Sequence, residues 1–159
     1  MPPRMSYLES NMKIPLKAIL LATLCGCAGS ASGAPASVMV SDCWIRLLPG
    51  NLPSGAYFSV MNMSAQPVDL TSVRTDAYGT AMLHQTRSNG STSNMVMVDK
   101  VTVPAHGTLA FTPGGYHVML EQPKTPLKVG MSIPFTFVFS DGEQVHAECE
   151  TKGATATSH

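Results

Sequence analysis

His84, Met95, His117 and Met119 are the residues of this chain whose types and spacing could do chemistry. They read His, ten residues, Met, twenty-one residues, His, one residue, Met. Imidazole nitrogen and thioether sulfur are neutral donors, and the sulfur is soft, so the set prefers Cu(I) to Zn, Fe or Mg. A bound Cu(I) would keep its single charge, and its ligands could leave one at a time. That suits a carrier that hands its ion on better than a permanent store. The chemistry demands that all four side chains reach one patch. His117 and Met119 meet the demand locally, because residues two apart in a strand point the same way. In Tyr116-His117-Val118-Met119-Leu120 one face then offers an imidazole beside a thioether, and Tyr116, Val118 and Leu120 turn to the core. Met95 and Met97 make a second same-face pair, with Met97 a substitute for Met95, and His84 closes an apolar run next to a polar loop. Singly, a His in a β domain is ordinarily hydrogen-bonded or solvated and a Met ordinarily packs in the core. The set carries weight that no member does.

The elements that must position these donors are strands. After residue 36 there is no helix-period segment of useful length and no internal repeat. Short β-rich runs occupy 38–48, 56–63, 68–76, 81–86, 95–103, 108–112, 117–121, 133–140 and 144–151. Pro49-Gly50-Asn51, Ser88-Asn89-Gly90-Ser91, Pro113-Gly114-Gly115 and Asp141-Gly142 separate them. Many short strands with Gly/Pro turns predict an all-β Greek-key sandwich or barrel in a single domain. Ile133, Phe135, Phe137 and Phe139 alternate onto one face, and Pro134 among them places the strand's start or a sheet edge there. Met61, Met63, Met82 and Met131 are expected to fill core gaps.

Residues 1–36 are expected to be a secretory signal peptide, with Met12 a candidate initiator. Lys13 and Lys17 precede an apolar run too short to span a membrane, and small residues lead to Ala34-Pro35-Ala36. A competing expectation is a lipoprotein acylated at Cys27, the one route to a membrane partner. Residues 37–152 form the domain and 153–159 a disordered tail. From Ser37 on, seven Lys or Arg stand against nine Asp or Glu, a formal charge of −2 with no basic stripe, which excludes nucleic acid as a partner. Cys43 and Cys149 are an even pair in an exported domain. Cys43 shares a face with Ile45 and Leu47, and Cys149 with Val145 and Ala147, so both turn inward. They either join the first strand to the last by a disulfide or remain two buried thiols.

No Ser-His-Asp set, carboxylate pair or phosphate loop stands out, so an enzyme is not expected. His106 and His146 read as solvated, with a weak surface metal site the alternative at His146, and nothing in the sequence supports a copper-capturing role for the terminal His159. Two competitors remain. One is a cell-envelope β-sandwich interaction module without a metal, whose four donors would be scattered. The other is a copper oxidase, which would need an open coordination position.

The mature region resembles the periplasmic copper chaperones of the PCu(A)C family over about residues 38–150. The matching stretches are Asp42-Cys43-Trp44-Ile45-Arg46, Gly55-Ala56-Tyr57-Phe58-Ser59-Val60-Met61-Asn62, Val101-Thr102-Val103-Pro104-Ala105 and Pro113-Gly114-Gly115-Tyr116-His117-Val118-Met119-Leu120. The family's copper motif has the spacing met here by His84, Met95, His117 and Met119. The resemblance implies a cupredoxin-like fold and a periplasmic location. It also implies Cu(I) held at the surface and delivered, directly or through another copper chaperone, toward the CuA centre of cytochrome c oxidase. Glu121-Gln122-Pro123 departs from the more apolar residues usual after the His-x-Met strand. The tail lacks the His/Met-rich extension with which some members take Cu(II).

Overall fold

The structure is a computed structural model that describes residues 36–157 except Asn51. The expected signal peptide up to residue 35, with Cys25 and Cys27, and the terminal His159 lie outside the described residues.

Ten strands follow one another: β1 (Val38–Arg46), β2 (Ser54–Asn62), β3 (Val68–Arg74), β4 (Tyr78–Ser88), β5 (Ser93–Met97), β6 (Val101–Val103), β7 (Thr108–Phe111), β8 (Tyr116–Pro123), β9 (Ser132–Phe139) and β10 (Gln144–Lys152). Their order is β5-β4-β8-β2-β1-β10-β9-β3-β6 in a single sheet. The far edge of β2 is shared, since Ser54–Ala56 pair with β8 and Phe58–Met61 with β7. β1 and β10 lie side by side in parallel, and the other pairs are antiparallel. Phe58 on β2 meets Phe137 on β9 edge-on, ring centroids 4.7 Å apart, although two strands separate them in the sheet. The sheet therefore curls over its own inner face, where Ile45, Val60, Leu70, Phe111, Val118, Leu120, Phe135 and Phe137 are buried.

One expected strand is two. The run 95–103 breaks after Met97, and β5 joins the edge of β4 while β6 joins β3. Asp69 on β3 holds the second piece: its carboxylate accepts from Lys100 Nζ at 2.7 Å and Thr102 Oγ1 at 2.6 Å. Both contacts, together with burial of Val101 and Val103, draw 101–103 away from the line of β5. Pro134 sits opposite Glu148 of β10 but beyond the last residue of β9 that β3 reaches, so its missing N–H breaks no ladder.

A bulge in β1 sets the phase of everything near the site. Ser41 faces Ser59 but Trp44 faces Tyr57, so β1 carries one extra residue, and Asp42 takes a left-handed φ of 53°. Before the bulge, Val38 points inward. After it, Cys43 and Ile45 do, and Trp44 and Arg46 lie on the outer face, where Tyr57, Arg46 and Lys152 cover the Trp44 ring. Cys43 reaches Cys149 of β10, to which it is disulfide-bonded across 106 residues of sequence. Asp tolerates the left-handed region and a β-branched residue does not. Asp42→Val is expected to cost about 1–2 kcal/mol and Asp42→Gly to be tolerated, read by urea unfolding. Equal midpoints would contradict the bulge.

Residues 153–157, expected to belong to a disordered tail, are held in a turn instead. Ala156 N donates to Gly153 O at 3.0 Å, and Arg46 Nε donates to Ala156 O at 2.9 Å. The Arg46 guanidinium supplied a partner that the tail's composition did not reveal.

Candidate metal centre

Strand register assembles the donors. His84 on β4 is directly opposite His117 on β8, and Met82 is opposite Met119. On the other side of β4, Met97 is opposite His84 and Met95 opposite Thr86. Directly opposed residues share a sheet face, so both imidazoles and the thioethers of Met82, Met95, Met97 and Met119 lie on the outer face of three consecutive strands. The imidazole rings run nearly parallel, 5.8 Å between centroids and 24° between planes. Both are buried, while Met119 is half-buried and Met95 is 59% exposed.

Each ring is oriented by its own strand. His84 Nδ1 is 3.3 Å from Met82 O, and His117 Nδ1 is 3.2 Å from Gly115 O. A carbonyl can only accept, so Nδ1 carries the proton in both rings and donates it. Each Nε2 is left with a free lone pair, the tautomer a metal ligand requires. Burial holds the His117 imidazole below its ordinary value of 6.5; the bond to Gly115 opposes this and neighbouring His84 reinforces it. The lone pair therefore stays available in mildly acidic solution. A depressed imidazole value also means that the unfolded chain takes up its proton before the native one as pH falls. The contribution of His117 to stability is thus complete above 6.5 and is lost below it. A histidine Hε1 NMR titration should give His117 a midpoint under 6.5, and a midpoint above it would contradict this burial.

Met95, His117 and Met119 line one open depression of about 320 Å³ with Arg46, Leu52 and Tyr57. His84 does not line it, but its ring stacks on that of His117. Met97 faces His84 across the ladder but does not line the depression, so Met95 keeps the better access to His117. An aromatic wall closes one side. Tyr57 is 6.3 Å from His117 and 4.5 Å from Trp44, and Arg46 caps both rings at 5.2 and 5.6 Å. Burial raises the Tyr57 phenol above its usual value against the pull of Arg46, so the ring stays neutral. Gly55 makes room for it, because a Cβ there would stand 2.7 Å from the Tyr57 hydroxyl. The fixed guanidinium charge at the rim disfavours a divalent ion more than a monovalent one. Among the described residues no three His, Cys, Asp or Glu converge, so no hard donor set competes with this one.

Sequence reasoning missed Trp44, Arg46 and Tyr57. The matching stretches contain them, and alternation with the inward Cys43 and Ile45 puts Trp44 and Arg46 on the outer face, but only the pairing of β1 with β2 sets them beside Tyr57. Tyr116 packs on Phe111 toward the core, as expected. His146 lies elsewhere, exposed and 3.0 Å from Thr136 Oγ1. Trp44 is the chain's single tryptophan and stands one ring away from His117. Its emission should change when an ion occupies the depression, and an unchanged spectrum at full loading would argue that the ion sits elsewhere.

The family model "Putative lipoprotein LpqE-like" matches residues 38–151. "Putative lipoprotein Lxx21020" of Leifsonia xyli subsp. xyli is 32% identical over 132 residues, covering 76% of this chain and 79% of that protein. The solution structure of CuI-DR1885 from Deinococcus radiodurans superposes with a TM-score of 0.60 at 31% identity, over 78% of this chain and 83% of its own. The copper-bound PCuAC domain from PmoF2 matches at 21% identity with a TM-score of 0.63, over 76% of this chain and 97% of that domain, a likeness of fold. The cupredoxin-like all-β architecture expected from the resemblance is the one observed.

Proposed function

The chain belongs to the LpqE-like family, and from that membership and the donor patch we propose that it is a copper carrier. It binds one Cu(I) through His84, Met95, His117 and Met119 and passes the ion to a copper-accepting protein. The observation that supports this most is the pair of buried, face-sharing imidazoles with both Nδ1 atoms tied to backbone carbonyls. They leave two Nε2 lone pairs on the sheet face that also carries the thioethers. The Cu(I) form of DR1885, whose fold and 31% identity this chain shares, supports the choice of ion. No ligand is a thiolate, so oxidation cannot close the site by a disulfide, and the Cys43–Cys149 bond, together with the signal peptide expected in residues 1–36, fits an oxidising compartment such as the periplasm. Ligand exchange proceeds from the exposed side: Met95 leaves first, an incoming donor takes its place, and the buried imidazoles release last. The acceptor is another copper chaperone or, at the end of the route, the CuA site of cytochrome c oxidase. The protein itself carries out no turnover.

The test is titration of residues 37–157 with Cu(I) and with Zn(II), followed by X-ray absorption of the copper form. One tightly held Cu(I), colourless, with nitrogen and sulfur scatterers and much weaker Zn(II) binding is expected. Comparable affinity for the two ions, or a first shell of oxygen and nitrogen alone, would refute it.

A further inference from the structure

Met61 and Met63 do not fill the core. They are 40% and 48% exposed, and with Met39, 46% exposed, they form a second methionine cluster on the outer face. Met39 and Met61 are directly opposed on β1 and β2, which puts their Cβ atoms about 4.5–5.5 Å apart. The ladder runs one step further, since Met63 N donates to Ser37 O at 2.8 Å, so Met63 follows Met61 on the same face. Asn62 between them fixes this phase. It is 1% exposed, its amide nitrogen donates to Gln66 O, Val103 O and Pro104 O, and its Oδ1 accepts from Ser64 N and Oγ. With Asn62 locked inward, both flanking methionines must point out.

We infer that Met39, Met61 and Met63 form a second soft-metal site, a three-thioether site for Cu(I) or Ag(I). Each thioether ends a flexible unbranched chain, so three sulfurs rooted this closely can close on one ion in a trigonal arrangement. A neutral, sulfur-only set accepts a d10 monovalent ion and rejects Zn, Mg and Ca. A negative charge sits close by: the Glu143 carboxylate accepts from Ser37 N, whose residue pairs with Met63, and from Val38 N, whose residue adjoins Met39. The cluster is separate from the His/Met patch. Gly55, at the start of β2, pairs with Met119, and Met61 lies six residues on, about 20 Å along an extended strand. Lacking imidazole, this site holds its ion more weakly and fills second, as an uptake site that loads or drains the domain from its other end.

The test uses the protein with 13C-methyl-labelled methionine, titrated with Ag(I), a redox-silent soft ion, and with Cu(I) under anaerobic conditions. The Met39, Met61 and Met63 methyl resonances are expected to move together and to saturate at the second equivalent. Met61→Leu keeps the apolar volume and removes the sulfur, so it should abolish the shifts of Met39 and Met63 while the first equivalent binds as before. Three methyls that stay still up to several equivalents, or a Met61→Leu protein whose Met39 and Met63 shift as in the wild type, would overturn the site. Failure of the first equivalent alone would count against the His84/His117 centre and leave this cluster standing, because the two report through different methyls.

Discussion

His117→Ala is expected to weaken Cu(I) binding by at least about 100-fold. Outer partners that merely orient a ligand commonly contribute 10–100-fold to metal affinity, and His117 supplies a donor atom with its lone pair already aimed. A hundredfold is about 2.8 kcal/mol. His84→Ala should match it, since the two rings are opposed, buried and oriented in the same way. The methionines should not be equal. Met95 is exposed, and Met97 stands two residues away on the same face. Met95→Leu alone should cost less than either histidine, and Met95→Leu/Met97→Leu should cost more than the sum of its singles. Competition with a chromophoric Cu(I) chelator measures all of these. Equal affinity in wild type and His117→Ala/Met119→Ala would defeat the proposed centre outright.

The second large effect is on stability. Cys43→Ala/Cys149→Ala removes a crosslink spanning 106 residues, which the chain-entropy account values at about 4–5 kcal/mol. Against a total of about 5–15 kcal/mol for a domain of this size, the variant should sit near the edge of folding. Its guanidinium midpoint should fall steeply. The half-cystines lie inside and the donors outside, so the folded fraction should still bind Cu(I) with nearly wild-type affinity. Reductant should act slowly on the native protein, because both sulfurs must first be uncovered. An unchanged midpoint would show that the bond closes a loop already closed by packing.

What could be read from the residues, and what could not, divides along one line. The alternation in 133–139 and the His-x-Met step at 117–119 are local, and the faces they imply are the faces observed. The inward phase of Cys43 and Cys149 is local too. Partner choice is not. Nothing within 95–103 says that its first half belongs to β4 and its second to β3; Asp69, some thirty residues upstream, decides it. The aromatic wall was hidden for a similar reason. Local alternation turns Trp44 away from Cys43, but only the register of β1 on β2, with its extra residue at Asp42, sets it opposite Tyr57. Met61 and Met63 were assigned to the core because methionine ordinarily belongs there, and the buried member of that segment is the polar Asn62. Its amide is satisfied by carbonyls from two other turns, which sequence alone does not bring together.

β5 is five residues long and stands at one edge of the sheet, paired among the described residues to β4 alone. Among the described residues its outward backbone groups bond to no other strand, so Met95 rides on a segment easily peeled from the sheet. Amide deuteration should therefore be fastest there and slow when copper ties Met95 to His117. The grip on the metal is then limited by the opening of one short ladder rather than by the breaking of four bonds at once. A recipient protein need only lay its own backbone along that free margin to lift the sulfur away.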